Sequence, residues 1–266
     1  MKTLYRQTFA HAPAGVRHHI SSNRSFTVHK PLMLLALLLL LAPASMAQQV
    51  FRGTTNAETI TTLGQYRQAI GGADNSLTAA PQSSGRREIN WDAVRLDGTD
   101  FNSNTTTIVA GKITGIPVSR FQARGVRFDT VLAVANDSFV SANATVAGQF
   151  PPFSVDNTFG PFNSNRSETS FVLASAPTTT PVAAATRGFG AVFLDVEQAN
   201  SSSIEYFNGQ VSLGKFFVNP GPSGNAQFLG VLFNTPIVTR VVITTGTNQI
   251  FNFNSGTVTA GPAEGA

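Results

Sequence analysis

The 266-residue chain contains no cysteine. Disulfides, thiolate nucleophiles and cysteine-held metals are excluded, although an exported chain could have formed bridges. Histidine is nearly as scarce: the four present, His11, His18, His19 and His29, all lie near the start. Charge is thin as well, with Asp, Glu, Lys and Arg making up 12% of the chain. Only two lysines, Lys112 and Lys215, follow residue 47. There is one tryptophan, Trp91, against 21 phenylalanines.

Long apolar runs are absent apart from one. Pro31–Ala42 reads PLMLLALLLLLA, follows His29-Lys30 and precedes Pro43-Ala44-Ser45-Met46-Ala47. A basic stretch, a short apolar stretch and small residues at Ser45 and Ala47 are the parts of a secretory signal. Residues 1–47 are therefore read as a signal peptide, cut between Ala47 and Gln48. Its thirty-residue basic region is long and leaves the true start open. A membrane span needs about 20 apolar residues, so this run is too short, and nothing after Ala47 is longer. The expected product is secreted or periplasmic, with no membrane span.

Removing that segment reverses the charge balance. Five of the 18 basic residues leave with it, so 13 remain against all 14 acidic residues, a net charge of −1. The basic pI near 9.9 belongs to the leader. A nucleic-acid partner loses its basis, because phosphate binding needs a basic patch. All four histidines leave too. Ser-His-Asp and Cys-His nucleophile systems are then excluded, and zinc, copper and haem lose their usual donors.

The remaining 219 residues are rich in Thr, Val, Phe, Asn, Ser and Gly. Short alternating segments between Gly, Pro and Asn punctuation predict an all-β fold, a two-layer antiparallel sandwich of jelly-roll type. One helix is expected over Glu58–Ile70, capped by Asn56 and ended by Gly71-Gly72, with Ile60, Leu63, Arg67 and Ile70 on one stripe beside Tyr66. Strands are expected over Glu88–Val94, Thr107–Ile113, Val118–Phe121, Gly125–Ala135, Ser138–Ala142, Ser170–Ala174 and Gly188–Val196. Ser203–Phe207 and Gln210–Val218 flank Asn208-Gly209, a hairpin signal. Phe228–Phe233 and Val238–Thr244 read as a second hairpin, and Gln149–Glu168 as a long loop. The division is 48–85 for an N-terminal helix and loop, 86–248 for the sandwich and 249–266 for a tail.

Several stretches carry a resemblance: SGRREINWD (84–92), RGVRF (124–128), SANA (141–144), RGFGAVFLDVE (187–197), SIEYF (203–207), FLGVLFN (228–234) and VTRVVITTG (238–246). In order and spacing, over Val50–Gly246, they resemble a group of exported bacterial β-sandwich proteins without an assigned activity. Such sandwiches are similar in pattern to carbohydrate-binding jelly rolls, which implies a binding role; fold alone does not fix function. The resemblance also implies a later strand with an acidic pair and an aromatic residue, completing a calcium site. Here 249–259 reads QIFNFNSGTVT, with no acid.

Three groups of residues are candidate sites. Period two sets Glu88, Asn90 and Asp92 on one face of a strand and Ile89 and Trp91 on the other. The first face offers oxygens to calcium, with Asp97 and Asp100 nearby to complete the shell; otherwise the strand is amphipathic, with Trp91 in the core and its acids paired to Arg86 or Arg87. Asp195 and Glu197, in FLDVE, are the best paired carboxylates. That motif is similar to the acidic strand of laminarinase-type glucanases, whose two carboxyls about 5 Å apart act as nucleophile and acid, but Phe193 stands where a third carboxylate is required. Otherwise they mark a strand's polar face. Phe150, Phe153, Phe159 and Phe162 form either an exposed platform for sugars or a cap on one end of the sandwich. A Ser–Lys base system would need Lys112 or Lys215 buried with a depressed pKa; Lys215 reads instead as a solvent-facing strand residue that discourages edge pairing.

The sequence thus points to an exported, non-catalytic binding or surface protein, with a glycan or cell-surface component as its partner class. A carboxylate-dependent glycosidase or lyase using Asp195 and Glu197, and a structural extracellular matrix component, are the alternatives. No catalytic residue and no cofactor is otherwise assigned. Expression in an exporting bacterial host should yield a product whose intact mass and N-terminal sequence begin at Gln48; a mature chain that retains Lys30 would overturn the leader reading.

Overall fold

The computed structural model describes residues 7–11, 48–99 and 105–262. Two five-stranded sheets pack face to face, and every ladder is antiparallel. The first runs β2 (Gln48–Gly53), β13 (Ala226–Phe233), β10 (Thr186–Leu194), β1 (Gln7–His11), β3 (Arg86–Ile89). The second runs β12 (Val211–Phe217), β11 (Ser203–Asn208), β14 (Arg240–Thr244), β9 (Arg166–Phe171), β6 (Val126–Phe128). Beside them stands a four-stranded sheet, β4 (Thr106–Val109), β5 (Ile113–Ile116), β7 (Leu132–Ala135), β8 (Thr158–Pro161), and a hairpin of β15 (Phe251–Asn254) and β16 (Thr257–Ala260). The fold is an all-β sandwich with one α-helix among the described residues. The segment set apart at 48–85 supplies an edge strand and the helix, and the segment at 249–266 supplies the last hairpin.

Strand β10 shows how the layers are joined. Phe189 packs toward the second sheet, where its ring lies 6.0 Å from that of Phe171, and its carbonyl accepts the Tyr206 hydroxyl at 2.8 Å. Its neighbours Gly188 and Gly190 face the other way, under the helix. A Cβ at Gly188 would lie 2.4 Å from the Val231 carbonyl oxygen; one at Gly190 would lie 2.8 Å from the Phe228 ring. The missing side chains let the Tyr66 ring settle on the sheet, and its hydroxyl donates to Val231 O at 3.2 Å. Helix α1 (Asn56–Ile70) therefore covers one face and the second sheet the other. This is why all eight residues of β13 are buried and why β10 lacks clean polar alternation.

The helix begins at Asn56, two residues before the expected Glu58, and its cap lies one residue earlier than expected. Thr55, not Asn56, is the N-cap, and its hydroxyl accepts from Glu58 N at 3.2 Å. Glu58 reaches back to Thr54 N at 2.9 Å, a capping-box arrangement. The Thr54 side chain and amide hold the Glu58 carboxyl below the usual carboxylate range. Thr59, Thr62, Leu63, Tyr66 and Ile70 form the buried face, while Ile60 is 42% exposed. The apolar stripe misled at Ile60 because a threonine takes the inward position: Thr59 is buried by donating its hydroxyl to Ala226 O at 2.8 Å.

Other boundaries shift for local reasons. The Asn208-Gly209 hairpin forms between β11 and β12. The second expected hairpin does not: β13 pairs in the first sheet and β14 in the second, so Asn234-Thr235-Pro236 carries the chain between layers. The loop over Gln149–Glu168 contains β8 and the start of β9. Ser138–Ala142 is a turn, not a strand, with Ser138 and Phe139 at φ 57° and 65°. Val118–Phe121 is likewise a turn, and Gly125–Ala135 is broken into β6 and β7.

Trp91 ties the layers to the third sheet. It is fully buried, stacks on Phe159 at 4.1 Å and Phe128 at 5.9 Å, and meets Phe121 edge-on at 5.2 Å. Its indole N–H has no acceptor among the described residues, so packing alone holds it. Trp91→Ala should therefore cost about 3–5 kcal/mol of unfolding free energy, read from the urea midpoint at constant slope; a neutral result would remove Trp91 from the core.

Candidate functional site

The strand read over Glu88–Val94 ends at Ile89, so Glu88, Asn90 and Asp92 do not form one oxygen-bearing face that could hold calcium. Asn90 caps a short 3-10 turn, Trp91–Ala93, by accepting from Asp92 N at 3.0 Å. Glu88 does not face solvent. Its carboxylate is 1% exposed and is clasped by Arg67 through two 3.0 Å contacts and by Arg86 Nε at 2.8 Å. Arg86 also faces Asp74 at 3.9 Å. A buried carboxylate survives only when paired and fully hydrogen-bonded, and two guanidiniums satisfy that requirement here. Asp97 accepts from Thr99 N at 2.9 Å, and Thr99 holds its carboxyl below the usual range. Asp100 lies outside the described residues. Among the described residues no three acidic, His or Cys side chains converge as a metal site would require.

Arg87 is buried on the opposite side, where Asp74 acts on it at longer range and its hydrogen bonds go to backbone carbonyls. Its guanidinium donates to Asn75 O at 2.9 Å, Thr78 O at 2.6 Å and Ala80 O at 2.5 Å. Burial lowers its affinity for the proton. Its role is to fix the 73–85 loop against β3.

Asp92 has a different task. Its Oδ1 accepts from Ser154 Oγ at 2.7 Å, Asn157 N at 2.9 Å and Asp156 N at 3.2 Å, and its Oδ2 from Val155 N at 3.4 Å. Four donors from consecutive residues converge on one side chain, which pins the loop between Phe153 and β8. Asn157 reinforces the join by donating to Trp91 O at 3.0 Å and Val94 O at 3.3 Å.

That pinned loop walls a cavity of about 110 Å³. Its aromatic lining is Phe139, Phe150, Phe153, Phe159 and Phe193; its polar lining includes Asp195, Glu197 and Asn248. The cavity lies where the main core meets a second apolar cluster, since Phe153 and Phe159 pack on the first and Phe139 and Phe150 on the second. Two residue groups that are far apart in sequence, the phenylalanine loop and the FLDVE acids, thus meet in one place. Phe162 does not join them; it packs edge-on against Phe251 and Phe253 at 6.0 and 5.6 Å. Phe150, Phe153 and Phe159 are half-buried, which is neither an open platform nor a closed cap.

The acids do not alternate along a strand. Strand β10 stops at Leu194, and Asp195 adopts a left-handed backbone at φ 57°. Its Oδ1 accepts from Gly224 N at 2.6 Å and Ser223 Oγ at 3.3 Å. Glu197 beyond it is exposed and has no hydrogen-bond or ion-pair partner among the described residues. Phe139, also at the cavity, is the second non-glycine lining residue with a positive φ, at 65°. A bulky side chain there is strained and persists only where its surroundings hold it.

No family model, curated protein or solved structure matches this chain.

The other residues singled out in the sequence lie elsewhere. Lys112 is exposed in the turn between β4 and β5. Lys215 lies on edge strand β12, with its ammonium 5.3 Å from the Phe217 ring. Sequence reasoning missed Phe139, Asn157 and Asn248 at the cavity. Only Phe139, beside the turn-forming Asn136-Asp137, carried any local signal.

The pinning by Asp92 gives a testable consequence. Asp92→Ala should lower stability by about 1.5–3 kcal/mol, the scale of hydrogen bonds to a charged group, and should speed amide hydrogen exchange at 154–157 selectively. Unchanged exchange in that loop would show that other contacts hold it.

Proposed function

We propose that the protein is an exported, non-catalytic binding protein whose cavity takes one ring of a saccharide. The observation that carries this reading is the cavity itself, whose lining combines phenylalanine rings with carboxylates, amides and hydroxyls. A sugar ring has both characters, with apolar C–H faces and a polar hydroxyl edge, and sites that recognise small molecules combine apolar walls with a few placed polar groups. Supporting it, Phe139 and Asp195 are held in strained backbone conformations where they line the wall, a pattern that clusters at ligand sites. The export reading rests on the leader sequence and the resemblance on the quoted segments.

A second reading is favoured by one specific contact set. Asp195 and Glu197 both border the cavity, as a carboxylate-dependent glycosidase or lyase would require. Against it, Asp195 Oδ1 is engaged by Gly224 N at 2.6 Å, so that carboxylate already serves the loop carrying Ser223 and Gly224.

A soluble oligosaccharide panel separates the readings. Trp91 stacks on the cavity residue Phe159, so its emission should report occupancy. Binding without turnover is expected, and Phe153→Ala should weaken it about thirtyfold, the scale of roughly 2 kcal/mol for a lost aromatic anchor. Hydrolysis or elimination that disappears in Asp195→Ala would replace binding by catalysis.

A further inference from the structure

We infer that the saccharide taken by the cavity bears a protonated amine, as an unacetylated amino sugar does. This rests on the reading of the cavity as a saccharide site and adds its charge. Among the described residues, every charged side chain lining the cavity is a carboxylate: Asp195 and Glu197 are present, and no Lys, Arg or His is.

Neither acid is neutralised from within the fold. Asp195 takes its hydrogen bonds from an uncharged amide and an uncharged hydroxyl, and Glu197 has no partner among the described residues. Asp92 likewise takes only uncharged donors, whereas two other acids are paired with arginine. Glu88 lies between Arg67 and Arg86, and Glu168 is held by Arg240 at 2.7 Å. Phe139, Phe150, Phe153, Phe159 and Phe193 line the same cavity as the acids. The faces of aromatic rings attract ammonium groups through their quadrupole. Carboxylates and aromatic rings lining one cavity both favour a cation, and the carboxylates disfavour uronates and sulfated sugars. An amine on the ring would meet the acids while its C–H faces meet the phenylalanines.

The test compares matched ligands on the full chain by calorimetry at a pH where the amine is protonated. Glucosamine oligomers, their N-acetylated counterparts and glucuronate oligomers of equal length differ chiefly in charge. The amine form should bind about tenfold more tightly than the acetylated form, with uronates weakest, and the preference should shrink as salt rises. Glu197→Gln is the informative variant, since Glu197 supports no contact in the fold: it should weaken the amine ligand more than the acetylated one. Equal binding of amine and acetylated forms overturns the charge inference and leaves the saccharide reading standing. Failure of all three to bind overturns both.

Discussion

Asp92 accepts four hydrogen bonds from Ser154, Val155, Asp156 and Asn157, and the cavity depends on where those residues are pinned. A loop rich in Pro, Ser and Phe has no ladder of its own to fix it. Its amides need acceptors, and a single carboxylate supplies them. Phe153 precedes the pinned residues and Phe159 follows them in β8, so fixing the middle fixes both rings. Trp91, adjacent to Asp92, stacks on Phe159. The core and the cavity wall are thus positioned by neighbouring residues on one 3-10 turn, and a change at that turn would be felt by both.

Much of the fold was legible because the physics was local. Asn208-Gly209 closes a hairpin through backbone conformations that those residues tolerate, and GFGAVFL reads as a buried strand from its composition. The crossover after β13 was not legible. A short polar link between two apolar runs serves a hairpin or a change of layer equally well, and only tertiary packing decides. At the site, period two gave the wrong face for Glu88, because the strand ends at Ile89 and the acid is turned inward by Arg67, 21 residues upstream. The acids Asp195 and Glu197 and the rings Phe153 and Phe159 were each visible in sequence. Their convergence was not, since it depends on a carboxylate 62 residues before Ser154. Phe162 shares the composition of its neighbours but sits one residue past β8, and there it serves the second cluster.

The glycines of β10 and β13 illustrate a second kind of coupling. Gly188, Gly190 and Gly230 clear a floor for Tyr66, so the helix approaches the sheet more closely than larger side chains would permit. Burial then pushes the phenols of Tyr66 and Tyr206 well above their usual range, and both hydroxyls are spent on carbonyls of the first sheet. One tyrosine reaches that sheet from the helix and the other from the second sheet, so its two faces are bolted by the same chemistry.

Strand β1, Gln7–His11, pairs with β10 on one side and β3 on the other, yet it lies within the segment read as a leader. If that segment is removed after Ala47, β10 and β3 lose their shared neighbour. Two rows of amides and carbonyls would then face each other across a lane roughly two strand spacings wide, about 9–10 Å. Water would have to solvate those rows, or another extended chain would have to be threaded between them. The precursor and its processed product would therefore differ in more than length: one has a continuous sheet, and the other has a seam along its middle.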